Sequence, residues 1–190
     1  MMASTLNDPI VMENILGTAA QDDLERLIFG HQFPWYYNAN TNAHDAATRS
    51  GDSPQFVHGF VQDRRDMSRW AAVPGAVLTP LGLTKDKLLR AKANLLPRSL
   101  QPMIHPDHID DSAPHWVMVY YVNDADGDTC LFDDSGNVTH RIHPRKGRAV
   151  VFDGRWRHAS SSPVDTAFRC VINYNLSPQI PASLFEKFAQ

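Results

Sequence analysis

Cysteine is scarce: the 190-residue chain has two, Cys130 and Cys170, and no Cys-x-x-Cys pair. A disulfide scaffold and a cysteine-built zinc site are thereby disfavoured, and a reducing, cytoplasmic location is the expectation. Charge of one sign is also lacking. Lys plus Arg number 18 against 21 Asp plus Glu, and the net charge of −3 gives no general attraction to nucleic acid or an anionic membrane. No stretch approaches the roughly 18 apolar residues of a membrane span. The opening, Met1 to Pro9, has neither the basic region nor the apolar run of a signal peptide. Internal repeats and low-complexity tracts are absent as well.

What remains is a globular composition: 43% hydrophobic, 21% charged, with 4 Trp, 5 Tyr and 9 Phe to fill a core. At roughly 100–200 residues per domain, residues 1–190 form one domain, with helical support over about 1–87 and a β core over about 88–178. Thr18 and Gln21 read as a capping box opening an amphipathic helix, with Ala20, Leu24, Leu27 and Ile28 on one face and Gly30 beyond it. The cluster Phe33-Pro34-Trp35-Tyr36-Tyr37 is assigned to the core. Asn38 to Pro54 is non-periodic and polar, a long loop that is either a lid or simply mobile. Gln55 to Val61 alternates as a strand, and Ser68 to Leu81 is helical but interrupted by Pro74, Gly75 and Pro80.

From Leu88 the period changes to two. Leu88 to Leu96, Trp116 to Asn123, Arg148 to Asp153 and Phe168 to Leu176 read as strands rich in Val, Ile, Tyr and Phe, separated by turn signals such as Asp124 to Asp128 and Asp133 to Asn137. Short strands at this spacing predict a barrel or sandwich of antiparallel strands.

In extended chain, residues two apart point to one side. His108-Ile109-Asp110 therefore presents an imidazole and a carboxylate together, and His158 lies just past the strand ending at Asp153. Two histidines and one carboxylate form the facial triad that holds non-haem Fe(II) with coordination positions left open. Arg169, Val171, Asn173 and Asn175 share one face of their strand, and the planar Arg169 guanidinium suits bidentate pairing with a carboxylate. A second pair, His105-Pro106-Asp107, competes for the ligand role. His108 and Asp110 are preferred because they lie nearer the strand at Trp116 and because Ile109 between them would pack on a barrel wall. His115 reads as a neighbour of the site or a surface residue.

The ordered set of His-x-Asp, Tyr120-Tyr121-Val122-Asn123, Gly127-Asp128-Thr129, Lys146 to Phe152, His158 and Arg169 resembles the 2-oxoglutarate and Fe(II)-dependent oxygenases, in particular their prolyl 4-hydroxylase-like branch. The resemblance runs from about Leu88 to Leu176. It implies a mainly β protein with supporting N-terminal helices, a double-stranded β-helix or cupin-like jelly roll. It implies Fe(II) on His108, Asp110 and His158, the far carboxylate of 2-oxoglutarate on Arg169, and pocket contacts from Tyr121, Thr129 and Asn173. The strand before His-x-Asp lacks a tyrosine that commonly contacts the co-substrate, leaving Asn94 or Arg90 in that position. The implied reaction takes O2 and 2-oxoglutarate to succinate and CO2 while hydroxylating an unactivated C–H bond of a prolyl or other peptidyl residue or of a small molecule, with ascorbate as an accompanying reductant. Two rivals are a cupin-like metal hydrolase built on the same triad and a non-catalytic jelly-roll binding protein. In bland readings Arg169 pairs with Asp153 or Asp165, and Arg155 and Arg157 are solvated. Likewise Arg141, His143, Arg145, Lys146 and Arg148 form a solvated turn. Neither the acceptor nor an oligomeric state is readable.

Overall fold

The computed structural model describes residues 6, 8–41 and 53–189. In chain order the strands are β1 (Ile10–Met12), β2 (Tyr36–Asn38), β3 (Gln55–Gln62), β4 (Arg65–Asp66), β5 (Leu88–Pro97), β6 (Trp116–Tyr121), β7 (Thr129–Phe132), β8 (Val138–Ile142), β9 (Ala149–Asp153), β10 (His158–Ser160) and β11 (Phe168–Leu176). The α-helices are α1 (Thr18–Ile28), α2 (Gly75–Leu78) and α3 (Ala182–Glu186). No helix among the described residues is long and apolar enough to cross a membrane.

Two antiparallel sheets face one another as a double-stranded β-helix. The larger has the order β1-β9-β6-β11-β5-β3-β2, with β4 attached to β3; the smaller is β10-β7-β8. Alternation along β6 shows why these segments are strands. Trp116, Met118 and Tyr120 enter the core between the large sheet and the helices, where Leu24, Ile28, Leu81 and Phe185 also pack. Val117, Val119 and Tyr121 turn the other way, to a smaller core shared with Leu131, Ile142, Val150, Phe152 and Val171. The period-two pattern of a strand buried on both faces is satisfied by two different cores.

Several expectations change. The predicted helix over Thr18 to Ile28 forms, but Gly17 is its N-cap and no side chain caps it. Gln21 is drawn inward, donating through Nε2 to the Leu16 carbonyl at 2.7 Å. The backbone at Gly147, with φ of +82°, runs against the Gln21 amide, so a side chain at 147 would both strain the chain and collide. The region before Leu88 is not mainly helical: it supplies β1 to β4, because Gln55 to Gln62 finds a ladder partner in β5. Ser68 to Leu81 is broken, as its proline and glycine suggest, into turns, the single turn α2 and a 3-10 turn at Thr79–Leu81. Of the aromatic cluster only Phe33 is fully in the core, with Trp35 partly buried; Tyr36 and Tyr37 are 60% and 66% exposed on the edge strand β2. The loop predicted between Asn38 and Pro54 lies largely outside the described residues.

Candidate metal centre

His108 and His158 are brought together by backbone pairing. The His108 N–H donates to the His158 carbonyl at 3.0 Å and the reverse bond is 2.9 Å, an isolated antiparallel bridge at the start of β10. Residues paired in this way project their side chains to the same side, and the two imidazole centroids lie 4.7 Å apart. Asp110, two residues on, returns to that side. One ligand atom from each of His108, Asp110 and His158 lies within 4.8 Å of the others.

The ring orientations fit a metal. His158 Nδ1 donates to the Trp156 carbonyl at 3.0 Å, leaving Nε2 as the acceptor; that atom is buried and has no partner. His108 Nδ1 faces the Pro106 carbonyl at 3.4 Å, again turning Nε2 inward. Such backbone anchoring fixes tautomer and direction in metal-ligating imidazoles. Burial, and then the neighbouring His158, push the His108 pKa down to about 4, so the ring is neutral and ligation-competent at neutral pH. Burial works to raise the Asp110 pKa, but His158, Arg90 and Lys92 together hold it well below the usual carboxylate range. The carboxylate is oriented by Arg90 Nη1 at 3.3 Å and Asn173 Nδ2 at 3.1 Å.

The competing pair is placed elsewhere. His105 lies buried with Nδ1 and Nε2 each 2.9 Å from a hydroxyl, of Ser160 and Ser162 respectively. Asp107 forms an ion pair with Arg157. The argument that Ile109 packs on a barrel wall does not hold, since Ile109 is 40% exposed; strand pairing with β10, not the middle residue, selects His108.

A narrow cavity runs from the two histidines to Arg169 and is lined also by Lys92, Asn94, Thr129 and Asn173. Arg169 is 3% exposed. Its Nε donates to the Gly127 carbonyl and its Nη2 to Thr129 Oγ1, both at 2.7 Å. Tyr121 donates to the same Thr129 oxygen at 2.8 Å, and its ring lies 5.6 Å from the guanidinium carbon. Gly127 is required there: a Cβ at this position would collide with the Ser161 carbonyl. The pairing considered for Arg169 does not occur, because Asp153 binds Arg155 instead. Among the described residues Arg169 has no acidic partner, and burial pushes its pKa down. An unpaired buried cation is costly unless an anion joins it.

Asn94 opposes Val171 in the ladder and lines the cavity with a buried Oδ1 that has no partner. Lys92, opposite Asn173, was not singled out in the sequence. Its signal was present in the alternation Arg90, Lys92, Asn94 along one face of β5. Burial, and then Arg90, push the Lys92 amine down to about 8. The remaining basic residues are largely matched by acids: Arg148 pairs with Glu13, Lys146 with Asp22 and Glu25, and Arg141 and His143 with Asp128.

No protein-family model matches the chain. No curated protein matches it either. Solved structures do. An oxidoreductase of the 2OG-Fe(II) oxygenase family from Burkholderia pseudomallei aligns with a TM-score of 0.64 at 14% identity, covering 91% of this chain and 86% of that one. A prolyl hydroxylase from Trichoplax adhaerens, in complex with a hypoxia inducible factor oxygen degradation domain peptide fragment, gives 0.57 at 14% identity, over 97% and 88%. A Pseudomonas putida prolyl-4-hydroxylase gives 0.55 at 14%, over 89% and 92%. The chain therefore has the fold of the 2-oxoglutarate oxygenases.

Proposed function

We propose that the protein is an Fe(II)- and 2-oxoglutarate-dependent oxygenase that hydroxylates an unactivated C–H bond, with His108, Asp110 and His158 holding the metal and Arg169 the distal carboxylate of the co-substrate. The observation that carries this reading is the buried Arg169 guanidinium, with no acidic partner among the described residues, in the same cavity as the inward-turned Nε2 atoms of His108 and His158. A dicarboxylic acid with one end for a metal and the other for a guanidinium answers both needs. The fold shared with known 2-oxoglutarate oxygenases supports it.

When bound, the metal supplies redox chemistry at open coordination positions, and the overall balance is R–H plus 2-oxoglutarate plus O2 giving R–OH, succinate and CO2. The chain's own work is positioning. Thr129 and Gly127 hold Arg169 in one orientation; Asn173 and Arg90 hold Asp110; Leu96, Val119 and Val171 exclude water from the co-substrate's stem. A hydrolase built on the same triad leaves Arg169 without a task. One of the structural neighbours is in complex with a peptide fragment, and a peptidyl acceptor is one candidate here.

The test is anaerobic reconstitution with Fe(II) and 2-oxoglutarate, read by the weak visible charge-transfer absorption of an iron-bound keto acid. The band is expected in the wild type and absent from His158→Ala, which loses the metal. Arg169→Ala should keep the metal and require far more 2-oxoglutarate. Iron binding without any such band would overturn the assignment, and loss of metal in His105→Ala but not His108→Ala would overturn the ligand set.

A further inference from the structure

Lys92 is a second cation in the cavity that holds Arg169, and it also lines a groove outside it. Arg169 opposes Leu96 in the ladder, and Asn173 opposes Lys92. The two cations are therefore rooted four residues apart on adjoining strands, about 13 Å at the rise of an extended chain. Arg169 marks one end of the chamber. Lys92 stands toward the triad, since Asn173, its ladder partner, donates to Asp110.

On its other side Lys92 opposes Gly59 of β3. With no side chain at that position, Lys92 is open to the outer groove, of about 200 Å3, which is lined also by Val57, Gly59, Met67 and Arg90. The wall beside the ammonium is apolar: Met67 is 59% exposed, and its Cβ lies 3.9 Å from where a Gly59 Cβ would stand.

Lys92 is half-buried and makes no hydrogen bond or ion pair among the described residues. Asp110, the carboxylate that acts on it, is already held by Arg90 and Asn173. No Asp or Glu among the described residues lines either the chamber or the groove. An ammonium withdrawn from water without a counter-ion is stabilised when an anion joins it. On the oxygenase reading the co-substrate is not that anion, because Arg169 takes one of its carboxylates and the metal the other. The anion must then come with the acceptor, whose target C–H bond has to lie beside the metal and away from the Arg169 end.

We propose that the groove is the acceptor subsite and that it takes a small aliphatic acid, with its carboxylate on the Lys92 ammonium and its chain on Val57, Gly59 and Met67. The preference for an anion stands on Lys92 and the acid-free lining; the name acceptor subsite rests on the oxygenase reading.

The test uses Fe(II)-loaded protein saturated with 2-oxoglutarate, without oxygen, and equilibrium dialysis of three probes of equal length: pentanoate, n-pentanol and n-pentylammonium. Pentanoate is expected to bind at least about tenfold more tightly than the other two, a difference of about 1.4 kcal/mol, and to leave 2-oxoglutarate in place. Lys92→Met should erase that preference with 2-oxoglutarate affinity unchanged, and Lys92→Arg should retain it. Gly59→Val reads the groove apart from the charge. A Cβ there meets only the Met67 Cβ, at an ordinary contact distance, so the strand accepts it, and the branched side chain should weaken pentanoate and pentanol alike, several-fold. Pentanoate that binds no tighter than pentanol or that displaces 2-oxoglutarate, a preference that survives Lys92→Met, or a Gly59→Val that weakens neither probe overturns the proposal. A Lys92→Met that weakens 2-oxoglutarate instead also overturns it and gives the ammonium to the co-substrate. Should pentanoate bind selectively through Lys92 while 2-oxoglutarate fails to bind the wild type, the acceptor assignment falls together with the oxygenase reading; should 2-oxoglutarate bind and the preference be missing, the groove proposal alone falls.

Discussion

At the scale of single residues, Arg169 shows how a functional group differs from a structural one. Its neighbours satisfy two of its donors and leave its charge unanswered. Replacing it with Met should therefore remove co-substrate recognition without unfolding the protein. Hydrogen bonds to charged groups contribute about 1.5–3 kcal/mol each, so losing a bidentate pair should raise the 2-oxoglutarate dissociation constant by about 100-fold or more. The companion measurement is thermal: saturating 2-oxoglutarate should stabilise the metal-loaded wild type, by about 2.7 kcal/mol at 100 times the dissociation constant, and leave Arg169→Met unmoved. A shift of equal size in both would show that Arg169 does not hold the co-substrate. The residue was legible in the sequence because a lone cation amid Phe168, Cys170, Val171 and Ile172 is anomalous. Lys92 was not, since a lysine alternating with Arg90 looks like a solvated strand face until the register with Asn173 places it indoors.

Elements are fastened by side chains that sequence patterns do not reveal. His105 ties the approach to His108 onto the end of β10 through the Ser160 and Ser162 hydroxyls. His105→Ala should cost about 1–3 kcal/mol of stability for the groups left unpaired, measured by denaturant unfolding, while metal stoichiometry stays at the wild-type value; lost metal with unchanged stability would contradict this. Asp126 does the same for the turn before β11. Its carboxylate accepts the backbone N–H groups of Val164, Asp165 and Thr166 at 2.7, 2.9 and 3.0 Å. Burial works to raise its pKa, but the Thr166 hydroxyl and these amides hold it well below the ordinary value of 3.8. The unfolded chain takes up this proton first as pH falls, so the stabilisation is complete above about pH 4 and is lost progressively below it. Asp126→Asn should accordingly flatten the acid limb of a stability-against-pH curve between roughly pH 4 and 2. A limb as steep as the wild type's would remove Asp126 from the account. Gly127, which follows Asp126 in the connection between β6 and β7, shows the link to function: its carbonyl accepts from Arg169 and orients it.

For the whole molecule, the triad joins parts of the chain that only the folded barrel unites, so metal should act as a clasp. Adding Mn(II), which does not turn over, should raise the melting temperature of the wild type and not of His158→Ala; stabilisation that persists in the variant would place the metal elsewhere. The linear order of residues was enough to specify much of this. Phe168–Leu176 has the predicted bounds, and the amphipathic helix forms where it was expected, though its N-cap is Gly17 and the expected capping box is not made, because periodicity of two or 3.6 is a local consequence of which face is buried. Arg169 was legible as an exception to that periodicity, and His108, Asp110 and His158 as ligand types at a telling spacing and in a recognisable order. Short strands such as β1, β2 and β10 were not, since three residues carry no period and exist only because a neighbour offers them a ladder. Nor could the chain order choose between two His-x-Asp pairs five residues apart at their outer ends. That choice was made in three dimensions, by which backbone segment meets His158 in register, and so was the cavity that joins the histidines to Arg169. Hydrogen-bond register and enclosed volume are properties of paired surfaces, and a single strand of sequence does not contain its partner.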